Sequence, residues 1–229
     1  IDKIKRISMD TNGLLLNEKF ADDLVHAGLT RFNVSLNSVN KQTCDRLSNR
    51  NYNLDHLLKI IKYIDDKFAS KGKCEIILAP VLLEGINDSE KELDDLIEFS
   101  KKLSGFKTDK NIKIAFQNFL NYPQGRNPVK QKTWEEFYKL LKNLEKKHKL
   151  KLIFDSKDFL IEENNVLKKP FKKDEAIKAE IKCKGNYETE KIAVYKNRSI
   201  VVRNCFQEKG MIKIKIIRDK HNIFDGVSI

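Results

Sequence analysis

The sequence has 229 residues, of which 34% are charged and 40% hydrophobic, and its formal net charge is +12. This composition excludes a mainly disordered chain and suffices for one large domain or two smaller ones. No apolar run approaches the roughly 18 residues of a membrane-spanning helix, and the charged start, Ile1 to Arg6, is unlike a signal peptide. Because the first residue is Ile1 and not Met, we expect the sequence to begin inside a longer protein.

The cysteines, at positions 44, 74, 183 and 205, stand too far apart in the sequence for a local metal site. Neither CxxC nor CxxxCxxC occurs, so no metal ligands are predicted in this chain. A disulfide framework is not expected without a secretory signal. We therefore expect single buried thiols and a cytoplasmic, reducing location.

The first 155 residues alternate short apolar runs with amphipathic segments. Strands are predicted at 4–9, 32–36, 74–83, 112–119 and 151–154. Helices are predicted at about 18–26, at 54–64 behind Asn53 as N-cap, and from a capping box that begins at Thr133. This alternation predicts an α/β fold of about four parallel βα units, in which ligands bind at the carboxyl ends of the strands.

The pattern changes after residue 162. Residues 163–229 carry 16 basic and 9 acidic side chains, a net charge of +7. Alternating runs at 177–183, 191–195, 199–202 and 211–217 predict the short strands of a small antiparallel β-barrel. We therefore divide the chain into domains at 1–162 and 163–229, with the boundary within 162–176.

Polar side chains stand at the ends of the first two predicted strands. Thr11 and Asn12 precede Gly13, in a pattern typical of a ligand-binding turn or of an ordinary Asn-Gly turn. Ser35 and Asn37 share one face of the second strand, where a buried parallel strand is normally apolar. Their hydrogen-bond partners are therefore either a ligand or a neighbouring loop.

The later strand ends have structural explanations beside functional ones. Gly85 ends the third strand, and Asn87 or Asp88 is expected to cap the next helix. Gln117 comes late in the fourth strand. The loop after it carries Arg126, which belongs either to a simple turn or to an anion contact.

These residues together resemble the second half of the radical S-adenosylmethionine (SAM) enzyme core. Residues 10–13 look like the turn after that family's third strand, residues 32–37 look like its fourth strand, and residues 80–88 follow in the same order. Over about residues 1–120, the resemblance implies the second half of a partial (β/α)6 barrel. It also implies a SAM-binding set made of Thr11, Asn12, Ser35, Asn37, Arg50 and Gln117.

The family's 4Fe–4S cluster is bound by a CxxxCxxC loop that is absent from these residues. The resemblance therefore implies cluster ligands upstream of residue 1 and a chain that is inactive by itself. Asn37 stands where an acidic residue is frequent in the family. The sequence defines neither catalytic residues nor substrate nor oligomeric state.

The residues from Ile192 to Ile229 resemble a TRAM-type small β-barrel, an OB-like module that binds RNA in some RNA-modifying enzymes. This resemblance makes Lys213, Lys215, Arg198 and Arg203 candidate RNA contacts. The alternative is a solvated outer face on a structural cap. The order of the two parts also resembles archaeal predicted Fe–S oxidoreductases of the radical SAM superfamily.

Three functions therefore stay open. The first is a radical SAM enzyme that acts on an unknown substrate, RNA or an RNA-linked group among the options. The second is an unrelated α/β-barrel enzyme that uses the same strand ends. The third is a nucleic-acid-binding module on a catalytically silent scaffold, and none of the three predicts a membrane partner.

Overall fold

The structure is a computed structural model that describes residues 6–104, 112–121, 129–161 and 168–229. The chain divides into two compact units, Ile1–Glu162 and Glu163–Ile229. Among the described residues, no helix combines the length and the apolar character that crossing a membrane requires.

Strands and helices alternate in the first unit, which confirms the predicted α/β class. Its elements are β1 (Ser8–Thr11), α1 (Glu18–His26), β2 (Arg31–Val34), α2 (Lys41–Ser48), α3 (Leu54–Ile64) with a π-helical turn at Asp65–Ala69, β3 (Glu75–Leu78), β4 (Val81–Leu82), α4 (Glu90–Lys101), β5 (Gln117–Asn118) and α5 (Trp134–His148). The strands β1, β2 and β3 form one parallel sheet, and β4 pairs in parallel with β5. A parallel bridge between Leu78 and Ile114 links the two sets.

The third predicted strand is interrupted in the structure. The sequence predicted one strand over 74–83, whereas β3 and β4 are separate and pair with different neighbours. Pro80 lies between them, and it has no N–H to donate to a strand ladder. Pro80 interrupts the strand, but the same segment pairs with it on both sides of the break: Leu78 bridges Ile114, and the Pro80 carbonyl accepts from the N–H of Gln117 at 2.8 Å.

Two other local predictions are wrong. Ser89, and neither Asn87 nor Asp88, is the N-cap of α4, and its side chain accepts from the N–H of Glu92. Residues 151–154 form no strand. The N–H groups of Leu152 and Ile153 donate instead to Oε1 of Glu145, at 2.7 and 3.0 Å, so a side chain replaces the strand partner.

The parallel sheet has two different faces. Phe32, Val34, Ile76 and Leu78 are buried in one hydrophobic core with apolar residues of the helices. The alternate positions of β1 and β2 carry polar side chains that are exposed or half-buried: Asp10, Asn33 and Ser35. Because parallel sheets are normally covered by apolar contacts on both faces, the polar face is where a ligand is expected.

The second unit is a closed five-stranded barrel. Its strands are β6 (Ala176–Lys184), β7 (Lys191–Tyr195), β8 (Arg198–Arg203), β9 (Gly210–Arg218) and β10 (Phe224–Ser228), in the order β10-β8-β7-β6-β9. The prediction of a small barrel is confirmed, but not that it is wholly antiparallel, because β10 pairs with β8 in parallel. The closing strand β10 was not predicted.

Candidate functional site

A polar cleft of about 210 Å³ opens at the carboxyl ends of β1 and β2. It combines four residues predicted from the sequence with five that were not. The lining of this polar cleft is Asn12, Leu14, Ser35, Asn37, Cys44, Leu47, Ser48, Arg50 and Tyr52. In a parallel α/β sheet this edge is the usual place for chemistry, because the loops after the strands converge there.

The turn after β1 is built by its own side chains. The hydroxyl of Thr11 accepts a hydrogen bond from the N–H of Gly13 at 3.0 Å, and Oδ1 of Asn12 accepts from the N–H of Leu14 at 3.2 Å. Gly13 has φ of 71°, which a residue with a Cβ rarely adopts. Asn12 therefore lines the cleft, whereas Thr11 is not among the lining residues and holds the turn.

Two predicted polar residues follow β2. The backbone N–H of Ser35 donates to the carbonyl of Thr11 at 2.8 Å, which joins the two strand ends. Within the described part of the chain, the Ser35 hydroxyl makes no hydrogen bond to another protein group. Oδ1 of Asn37 accepts from the N–H of Val81 at 2.9 Å, so one half of this side chain is structural and its Nδ2 stays available to a ligand.

A clasp of three hydrogen bonds holds the Asn37 segment. Nδ2 of the fully buried Asn87 donates to the carbonyls of Asn37 and Val81, at 2.8 and 2.9 Å. Oδ1 of Asn87 accepts from the N–H of Leu83 at 2.8 Å. The sequence suggested a helix cap at Asn87, but the side chain instead satisfies backbone groups on either side of β4.

Arg50 reaches the polar cleft from the turn after α2. This helix ends at Asn49, whose φ of 51° is left-handed, and the N–H of Arg50 then donates to the carbonyl of Asp45 at 3.3 Å. The turn leaves the Arg50 side chain exposed in the cleft lining. A guanidinium in this position favours an anionic ligand group such as a carboxylate.

Three of the five unpredicted lining residues come from α2, and the other two, Leu14 and Tyr52, lie in the turns after β1 and α2. Cys44, Leu47 and Ser48 recur at helical spacing, which was the sequence signal available for finding them. The helix is attached to α4 through Glu92, whose carboxylate accepts from the hydroxyls of Thr43, at 2.6 Å, and of Ser38. Ser38 also accepts from the N–H of Asn40 at 2.8 Å, next to the start of α2.

Gln117 does not line the polar cleft. Its side chain is exposed and belongs to a second opening of about 420 Å³, here called the aromatic cleft. Trp134, Phe137 and Tyr138 of α5 line that opening together with Phe154 and Phe159. Arg126, the candidate anion contact of the sequence, lies outside the described residues.

The candidate RNA contacts of the barrel do not share one face. Lys213, Lys215 and Arg203 occupy exposed positions that alternate with the buried residues of β9 and β8. Arg198 is two residues from the buried Ile200 and therefore lies on the same face of β8 as Ile200, opposite to Arg203. Of the exposed three, Lys215 pairs with Asp174 at 3.2 Å and Arg203 pairs with Asp225 at 3.2 Å.

The cysteines do not fit an iron–sulfur cluster. Among the described residues, no group of three or more histidine, cysteine, aspartate or glutamate side chains is arranged to hold a metal ion. Burial raises the pKa of the Cys44 thiol to about 11 and that of the Cys74 thiol to about 12. Cluster ligation requires thiolates, so these protonated, separated thiols are unsuited to it.

Comparison with known proteins gives a match over the segment that contains the polar cleft. The sequence profile described as the radical SAM superfamily matches residues 1–97, less than half of the chain, and these residues contain every lining residue of the polar cleft. A solved radical SAM methyltransferase from Sphaerobacter thermophilus aligns with 62% of this chain and 38% of its own, at 20% identity and a TM-score of 0.46.

Curated proteins are similar to parts of the chain. An uncharacterized protein of Methanocaldococcus jannaschii is 34% identical over 95% of this chain and 53% of its own length. The probable GTP 3',8-cyclase of Methanosarcina acetivorans is 39% identical over 44% of this chain and 29% of its own, and the GTP 3',8-cyclase of Staphylococcus haemolyticus is 34% identical over 53% and 31%. The chain therefore spans about half the length of the first of these relatives and about a third of the cyclases.

Proposed function

We propose that this chain is part of a radical SAM iron–sulfur enzyme and that its polar cleft binds SAM. The observation that carries the proposal is the convergence of Asn12, Ser35, Asn37 and Arg50 in one cleft, within the segment that matches the superfamily. A cytoplasmic location and a requirement for cluster ligands upstream of residue 1 belong to the same proposal. The substrate is not part of it.

The chemistry of the cleft suits the amino acid end of SAM. The guanidinium of Arg50 pairs with a carboxylate, the charge-assisted contact for which arginine is best suited. The free Ser35 hydroxyl and the Nδ2 of Asn37 supply one neutral contact each. Thr11 acts indirectly, through the turn that positions Asn12. Gln117, on β5, is assigned to the adenine end of SAM.

When bound to SAM in such enzymes, the cluster supplies the electron that starts the radical reaction. The residues of this chain contribute binding and orientation. Burial of Cys44 beneath the cleft keeps that thiol protonated, so it leaves no competing thiolate beside the cofactor.

Calorimetric titration with SAM tests this assignment on the whole chain. We expect Arg50→Gln to weaken binding by roughly tenfold or more and Ser35→Ala by about two- to tenfold, the usual worth of a charged and of a neutral hydrogen bond. The matched controls are Arg46→Gln, which changes an arginine within α2 that donates to the carbonyl of Gly85 at 3.4 Å, and Ser199→Ala on the barrel. Equal effects of Arg50→Gln and Arg46→Gln would contradict the assignment.

A second proposal concerns the barrel, which we infer to contact RNA. Lys213 lies directly opposite Lys178 in the pairing of β9 with β6. Like charges placed opposite each other on a sheet are unfavourable without a counter-ion, and neither lysine has a protein acceptor among the described residues. A phosphate backbone supplies that counter-ion.

Salt dependence of RNA binding tests the second proposal. Each phosphate contact adds about −0.7 to the log–log slope against salt for single strands, so replacing both Lys178 and Lys213 by Gln should make the slope shallower by about 1.4. The control pair, Lys59→Gln with Lys62→Gln on α3, removes the same charge from the first unit. The absence of measurable RNA binding at low salt would contradict the proposal that the barrel contacts RNA.

A further inference from the structure

Asp10 of β1, the edge strand of the described sheet, and Asn33 of its central strand β2 form a hydrogen-bonded pair. They are directly opposite each other in the register of β1 and β2, and Nδ2 of Asn33 donates to Oδ1 of Asp10 at 2.7 Å. Asp10 is exposed and Asn33 is half-buried. The sequence placed neither residue in a site.

These side chains lie outside the hydrophobic core. Phe32 and Val34, at the alternate positions of β2, form the core with the helices, whereas Asp10 and Asn33 bond to each other. Asn33 lies on β2, between β1 and β3, where a parallel strand normally carries an apolar residue. A polar residue at this position that also fixes a carboxylate points to a ligand.

The pair leaves two acceptors unused. Among the described residues, Oδ2 of Asp10 and Oδ1 of Asn33 accept no hydrogen bond from protein. A carboxylate oxygen beside an amide oxygen is complementary to two adjacent N–H donors. Such donors occur in a guanidinium group and along the N1–H and 2-amino edge of guanine, whereas the corresponding edge of adenine alternates donor and acceptor.

The pair also stands next to the polar cleft. Asp10 precedes Asn12 by two residues, and Asn33 precedes Ser35 by two, which along a strand is about 6–7 Å. A small ligand on the pair would therefore touch a ligand in the polar cleft. This spacing suits two reactants held side by side.

We propose that Asp10 and Asn33 bind a ligand with two adjacent N–H donors, either a guanine base or a guanidinium group. Asp10 supplies the charged acceptor, and Asn33 supplies the second acceptor while its Nδ2 fixes the Asp10 carboxylate. That this ligand is the substrate rests on the proposed function; that the pair binds it does not.

Titration of the whole chain with three probes, followed by NMR chemical shifts, tests the site. Guanosine and methylguanidine represent the two sources of the donor pair, and adenosine is the mismatched probe. We expect guanosine or methylguanidine, but not adenosine, to shift the amide signals of β1 and β2. Binding by guanosine alone assigns the site to a base edge, and binding by methylguanidine assigns it to a guanidinium.

Asp10→Asn is the decisive variant, because it keeps an acceptor for Asn33 and turns a donor towards the ligand. We expect roughly tenfold or greater loss of affinity for the binding probe, with unchanged affinity for SAM. Asp55→Asn, which removes the same charge from the exposed first turn of α3, should bind the probe as the parent chain does. Thermal unfolding of both variants serves to detect a folding defect.

The two proposals fail separately. If the parent chain binds guanosine or methylguanidine and Asp10→Asn does not, this inference holds even where SAM fails to bind. If neither probe binds, or if Asp10→Asn binds as tightly as Asp55→Asn, the inference is overturned, whatever the result with SAM.

Discussion

At the scale of single residues, Gly13 decides whether the first strand can turn into the polar cleft. Its φ of 71° is left-handed, and a Cβ added there would collide with Cδ1 of Leu57, a fully buried residue of α3. The collision adds to the backbone cost because the Leu57 side chain has no free space to move into. The position of Asn12 in the lining of the polar cleft therefore depends on Gly13.

We expect Gly13→Ala to lower the free energy of unfolding by about 2–4 kcal/mol, the sum of a left-handed alanine and an overpacked contact. Gly72→Ala is the matched control, since Gly72 has φ of 67° but no atom within 4 Å of its added Cβ. That variant should lose only about 1 kcal/mol. Equal losses, measured by urea unfolding, would contradict the packing argument.

The thiol of Cys44 is expected to react slowly. With its pKa raised to about 11, mainly by burial, only about one molecule in a thousand carries the thiolate at pH 8. Because the pKa is raised, reactivity should increase as the pH rises towards 11. Alkylation with iodoacetamide, followed by mass spectrometry, should label the exposed Cys183 first, and equal rates for the two cysteines at pH 8 would refute this expectation.

At the scale of elements, the predictions were correct for helices and caps that are determined by residues close together in the chain. The helix at 18–26 and the Asn53 cap were correct because helical spacing and a capping side chain lie within a few residues of each other. β10 was missed because only one of its inward positions, Phe224, carries an apolar side chain. The next inward position is Gly226, where a Cβ would meet Ile214 of β9, so no apolar alternation marks the strand.

Candidate site residues could be predicted only where a polar residue interrupts the apolar pattern of a strand. Ser35 was found because a polar residue interrupts an apolar strand, and that signal is local. Gln117 was assigned to the same site from its place in the chain, but its strand pairs with β4 and not with β2, and Gln117 is not among the lining residues of the polar cleft. Asn87 looked like a cap because its partners, in β4 and after β2, are distant or cross a turn.

The three hydrogen bonds of the Asn87 side chain are expected to contribute more to the free energy of unfolding than a helix cap does. Asn87→Ala leaves three half-buried backbone groups, on Asn37, Val81 and Leu83, without this partner, which should cost about 3 kcal/mol. Asn53→Ala, which removes the N-cap of α3, should cost about 1 kcal/mol. Urea unfolding of the two variants compares these values, and a smaller loss for Asn87→Ala would show that water replaces the clasp.

At the scale of the whole molecule, the chain provides a binding face without a metal centre among its described residues. Burial raises the pKa values of the Cys44 and Cys74 thiols, which keeps both thiols protonated near neutral pH. The barrel adds a basic surface to a chain whose net charge is +12.

We expect the 229-residue chain, expressed alone, neither to hold a 4Fe–4S cluster nor to cleave SAM. Anaerobic reconstitution with iron and sulfide should leave no stoichiometric iron and no absorption band of a bound cluster. A fragment extended upstream, if it supplies CxxxCxxC, is the positive control. Stoichiometric iron and sulfide on the chain as it stands would refute this expectation.

Backbone NMR during a titration with SAM shows whether the polar cleft binds SAM. We expect the largest shifts on the amides of Asn12, Ser35, Asn37 and Arg50, and we expect Arg50→Gln to reduce them while Arg46→Gln does not. Shifts confined to other parts of the chain, or equal reduction by both variants, would contradict this expectation.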